Sequence, residues 1–180
     1  MKGTAMYFQY PLEFLARRRA TAHQSDFARQ ARRMLEDTDE VIFEPIDRGL
    51  VILAAHEEAL EEPKRILKHA YGDFVEVRGP KVRYMPGEPA HEPIMHVRVS
   101  AKRQHSHALL WELNWRHARI LEECTRSNVF IVRAEAPLAS LLGLPARLDE
   151  ITDGLATHSI RLIRYAPVLR DPDGDGPLAA

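Results

Sequence analysis

Val41-Ile-Phe-Glu-Pro45 and Leu50-Val-Ile-Leu-Ala54 flank Asp47-Arg48-Gly49, and the reading of the fold turns on this stretch. Two β-rich runs around a turn-forming triplet predict a hairpin, because Asp and Gly readily take the backbone angles of a tight reversal. The second run lacks apolar/polar alternation, so it predicts a central strand. Upstream, Phe27, Ala31, Met34 and Leu35 fall at i, i+4, i+7 and i+8, with Arg29, Arg32, Arg33 and Glu36 opposite. That spacing predicts an amphipathic helix, capped by Ser25. Before it, Met6 to Leu15 reads as an opening strand closed by Arg17, Arg18 and Arg19. Downstream, Ala59, Ile66 and Ala70 predict a second helix, and Pro63 either starts that helix or kinks it. Val75, Val77, Val82 and Tyr84 then predict a strand interrupted at Gly79-Pro80. The order is β-α-β-β-α-β.

Met85 to Pro93 packs three prolines and a glycine into a short polar stretch, which predicts an extended connector. Beyond it, Met95, Val97 and Val99 alternate with His96 and Arg98, and Leu109, Leu110, Trp111 and Leu113 follow within a helical window. Arg119 to Cys124 and Val129 to Ala134 predict a hairpin around Ser127-Asn128. Leu138, Leu141, Leu142 and Leu148 predict short helices, and Ile160, Leu162 and Tyr165 a last strand. The same order recurs. The expected fold is α+β, with two ferredoxin-like modules at 1–88 and 89–170. Each is an antiparallel sheet with two helices on one face, and an acidic, disordered tail follows at 171–180.

The chain has 180 residues and a net charge of −1, so any attraction to a polyanion must be local. A single cysteine, Cys124, leaves no disulfide framework and no Cys cluster for zinc. No secretory leader and no apolar run near the ~20 residues of a membrane helix is legible, which points to a cytoplasmic protein.

Glu92-Pro93-Ile94-Met95, Asn114 with Arg116, Ala134-Glu-Ala-Pro137-Leu138, Leu142-Gly143, Leu148, Thr152 and Gly154 follow one another in an order similar to that of the fifth domain of the elongation factor G family. The resemblance covers about Glu92 to Val168. More faintly, Gly49 to Tyr84 resembles the family's third domain, best at Leu67-Lys68 and at Pro80-Lys-Val-Arg-Tyr84. Trp115, His117 and Ala118 depart from the family's basic helix end. Nothing resembles a Gly-x-x-x-x-Gly-Lys-Ser/Thr phosphate loop, so no nucleotide is expected. The family's second and fourth domains have no counterpart. The resemblance implies a non-enzymatic binding protein that docks on the ribosome or on a translation factor, with a protein-protein or homodimeric module as the alternative reading.

The chemistry-bearing residues offer no competing active site. His105 and His107 stand two apart and lack a ligand partner at metal spacing, and His56-Glu57 is followed by Leu60 where a zinc helix needs a second histidine. Asp171 to Gly176 opens like a calcium loop but lacks its closing glutamate. No cofactor or metal is expected. Arg98, Lys102, Arg103, Arg116, Arg119, Arg126, Arg133, Arg161 and Arg164 make the second half locally basic. The candidate binding residues are Arg98, Lys102, Arg103, Asn114, Arg116, Arg119 and Arg161, as a phosphate-contacting face assisted by Trp111 or Trp115. Strand alternation sends Arg98 and His96 away from Met95, Val97 and Val99, which would leave a polar sheet face open.

Overall fold

A computed structural model describes residues 8–19 and 23–168. The first half contains β1 (Leu12–Arg18), α1 (Gln24–Arg32), β2 (Val41–Ile46), β3 (Gly49–Ala54), α2 (Glu61–Tyr71) and β4 (Val75–Val82). The second contains β5 (His91–Lys102), α3 (Ser106–Trp115), β6 (Arg119–Arg126), β7 (Val129–Pro137), α4 (Leu138–Leu141), α5 (Leu144–Thr152) and β8 (Thr157–Pro167). The strands form two four-stranded antiparallel sheets, ordered β2-β3-β1-β4 and β6-β7-β5-β8. The two orders are the same topology, in agreement with two ferredoxin-like βαββαβ units.

Both hairpins use two-residue loops, Asp47-Arg48 between Ile46 and Gly49 and Ser127-Asn128 between Arg126 and Val129. Gly49 has a φ of 142°, and a Cβ there would run into the carbonyl oxygen of Ala16 on the neighbouring strand. β3 is interior and buried along its whole length, as its unbroken apolar run predicts.

Local departures have physical causes. Helix α1 starts at Gln24, so Ser25 lies inside it, and no side chain caps it. Gln24 instead uses its amide to accept from the Arg18 N–H at 3.0 Å and to donate to the Arg18 carbonyl at 2.7 Å, tying the helix start to the strand end. Pro63 sits in the first turn of α2, where its missing N–H costs nothing. The buried face of α2 is Leu60, Pro63 and Leu67, with Ile66 half-buried, whereas Ala70 is exposed. Strand β1 begins at Leu12, later than expected, and residues 6 and 7 of the expected strand lie outside the described residues, as does the 171–180 tail.

The expected connector is more structured than an extended linker. Met85 and His91 exchange backbone hydrogen bonds at 2.9 and 3.0 Å, and His91 to Pro93 already belong to β5. The two halves touch through the 3₁₀ turn Glu57–Leu60. The Gly143 N–H donates to Glu57 Oε2 at 2.8 Å, and His158 Nε2 lies 3.0 Å from Glu58 Oε1. One hydrophobic cluster takes in buried residues of both sheets, including Ile52, Leu67, Met95 and Leu148.

Candidate nucleic-acid interface

Strand β5 decides the site, because its alternation divides the second sheet into two faces. Met95, Val97, Val99 and Ala101 are buried beneath the helices, while His96, Arg98, Ser100 and Lys102 point the other way. The register extends this polar face across the sheet. One row runs Arg119 (β6), Glu135 (β7), His96 (β5) and Arg161 (β8), and the next runs Glu122, Arg133, Arg98 and Ser159. Beyond them lie Cys124, Ile131, Ser100 and Thr157, then Arg126, Val129 and Lys102. None of the described helices covers this side.

Its charge is lopsided. Glu135 accepts from Arg119 at 2.6 Å and from Arg164 at 3.0 Å, and Glu122 accepts from Arg133 at 2.6 Å. Arg98, Lys102, Arg126 and Arg161 have no ion pair among the described residues. The hydrogen bond from Arg164, then that from Arg119, holds the Glu135 carboxyl below the usual carboxylate range. Arg98 and Arg133 are direct cross-strand partners, and like charges so placed repel. A protein that keeps such a pair on an uncovered face accepts a local cost that an anion laid across it would relieve.

Four of the sequence candidates, Arg98, Lys102, Arg119 and Arg161, fall on this face. Arg103 stands just past its end, with its backbone N–H bonded to the Asn128 carbonyl at 2.9 Å. Asn114 and Arg116 do not share the face, since both belong to the end of α3. Arg116 is a structural residue: its side chain is 11% exposed and bonds Glu112 at 2.6 Å and the carbonyls of Ser140 and Leu142 at 2.9 Å. Its charge and its place in the family pattern selected it, and its burial holds it against Glu112 and the two carbonyls, away from the sheet face. Arg133, Arg164 and Arg126, counted as basic residues but not nominated, complete the face, and strand alternation was the signal that could have found them. Trp111 and Trp115 lie on the outer side of α3, away from the sheet face they were expected to assist.

The remaining chemistry-bearing groups do not converge on one site. Among the described residues no group of three or more His, Cys, Asp or Glu could hold a metal ion. His105 contacts Gln104, His56 contacts Glu40, and Cys124 is half-buried on the sheet face. Among the described residues no helix is long and apolar enough to cross a membrane.

Comparison with known proteins places the second half in context. The family described as "Elongation factor G C-terminus" matches residues 90–174. Elongation factor G of Granulibacter bethesdensis is 31% identical over 80 residues, 44% of this chain and 12% of that protein. The mitochondrial ribosome-releasing factor 2 of Danio rerio is 32% identical over 77 residues, 43% of this chain and 10% of that protein. The chain thus spans about a tenth of the length of these relatives. A crystallised protein of Thermus thermophilus superposes with a TM-score of 0.64 at 16% identity, over 87% of this chain and 40% of that one, so the shared fold extends across both sheets. Residues 90–174 thus match the C-terminal domain of elongation factor G.

Proposed function

We propose that the protein is a non-catalytic binding protein of the translation apparatus, which docks on the ribosome through the open basic face of the second sheet. The observation that carries the proposal is the cross-strand row Glu122, Arg133, Arg98 and Ser159 with its neighbours, an uncovered surface whose arginines outnumber its two carboxylates. Such a face suits phosphate contacts, which position a protein on RNA without reading its sequence. The similarity of residues 90–174 to elongation factor G supports a translation setting. In this reading residues 1–88 are a first module of third-domain type and residues 89–170 the RNA-facing module. The protein performs no turnover, and its site is cytoplasmic.

Sedimentation with purified ribosomes across a salt series tests the proposal. The protein is expected in the pellet at low salt and to leave it steeply as salt rises, because contacts with phosphates release counterions. Protein that stays in the supernatant at the lowest salt would overturn ribosome docking.

A further inference from the structure

The second helix layer carries a surface that the sheet-face reading does not use. Helix α3 buries Leu109 and Leu113 against the core, yet Trp111 is 56% exposed and Trp115 is 64% exposed. Indoles four residues apart lie on one helical stripe, exposed His107 precedes them on it, and exposed Arg103 sits in the 3₁₀ turn Arg103–His105 that leads into the helix. The one acidic residue of α3, Glu112, points inward with a side chain 4% exposed, where it pairs with Arg116 at 2.6 Å and Arg147 at 3.4 Å. The exposed stripe of the helix is therefore two aromatic plates preceded by cationic or ionisable side chains, with no carboxylate among them.

We propose that Trp111 and Trp115 form a stacking platform for single-stranded RNA. Each indole presents a face on which one unpaired base lies, and Arg103 with His107 meets the phosphates leading onto it. Stacking on aromatic side chains flanked by basic residues is how single strands are held without sequence preference. A protein partner would also bury two tryptophans, but the absence of exposed acid on the stripe favours a polyanion. Exposed Asn114, beside Trp115, adds a side-chain amide that can bond a ribose 2′-hydroxyl. This platform is separate from the sheet face and stands whether or not that face holds RNA.

The chain has only two tryptophans, so its indole fluorescence reports on this site alone. Titration of the full chain with a single-stranded RNA decamer at low salt is expected to quench that fluorescence. Trp111→Ala and Trp115→Ala each retain one reporter, and each is expected to bind about tenfold more weakly. Thermal unfolding of both variants, expected to match the parent, separates lost stacking from lost folding. The Arg65→Glu variant, at an exposed position of the first half outside both surfaces, is expected to keep the quenching. Absence of quenching would overturn the proposal, as would normal RNA affinity in the tryptophan variants or quenching that disappears in Arg65→Glu. Equal affinity for the matching DNA decamer would overturn the assignment to RNA. A concentration-dependent emission shift with doubled mass, in the absence of nucleic acid, would assign the platform to a second copy of the chain instead.

Discussion

The two sheets share one topology and one hairpin length, so their residues can be compared row by row, and the comparison isolates what side chains alone decide. In the first sheet the row through the fifth residue of β3 runs Ile42, Leu53, Glu13 and Lys81. In the second the row through the fifth residue of β7 runs Glu122, Arg133, Arg98 and Ser159. Leu53 is buried with Val51 and Tyr10 in a small apolar cluster that Leu15, Ile42 and Ile46 pack against. The corresponding region of the second sheet has Arg133 and Ile131 with Ser100 and Arg98, and it stays open. Identical topologies thus give one face that closes on itself and one that offers cations to solvent.

Removing the support beneath the open sheet should produce the largest effect. Glu112→Ala leaves Arg116 as a buried, uncompensated guanidinium and is expected to destabilise the protein by about 3–5 kcal/mol, read by denaturant unfolding. Among the described residues the first module has no buried ion pair to lose in this way. Next, Leu53→Ala should cost about 2 kcal/mol, whereas Arg133→Ala at the matching position should cost no more than about 1 kcal/mol, since its pair with Glu122 is exposed. Equal losses at the two positions would break the comparison.

A smaller effect should have the opposite sign. Arg98→Ser removes the repulsion with Arg133 and is expected to raise stability by about 0.2–1 kcal/mol while weakening RNA binding. Loss of stability together with loss of binding would mean that Arg98 is structural. Smallest is the contribution of Glu135. Its folded-state pKa lies below the unfolded value, so its stabilisation is present above the ordinary carboxylate range and fades as pH falls through the folded value. Glu135→Gln should flatten the acid limb of a melting-temperature profile and strengthen RNA binding by leaving Arg119 and Arg164 free.

Much of the fold was legible because strands and turns announce themselves locally. The unbroken run Leu50 to Ala54 marks an interior strand, and the alternation of Met95, Val97 and Val99 with His96 and Arg98 marks a sheet with two unlike faces. Helix starts were harder, since Gln24 rather than Ser25 anchors α1 through a tertiary pairing with Arg18 that no local pattern encodes. The basic face was half legible. Arg98, Lys102, Arg119 and Arg161 followed from charge and alternation, but Arg116 was misplaced because its burial depends on carbonyls 24 and 26 residues away. Alternation with buried Val132 and Ala134 turns Arg133 outward, but its pairing with Arg98 and the bond from Arg164 to Glu135 depend on cross-strand register, which residue types alone do not fix.

The central claim is that the second sheet's open face holds RNA through its arginines. The direct measurement is the affinity of the parent and of Arg98→Glu/Arg161→Glu for fluorescently labelled ribosomal RNA at several salt concentrations. The parent's affinity should fall steeply with salt, and the variant's salt dependence should be shallower by roughly one phosphate contact for each arginine removed. An unchanged slope and affinity in a folded variant would contradict the account.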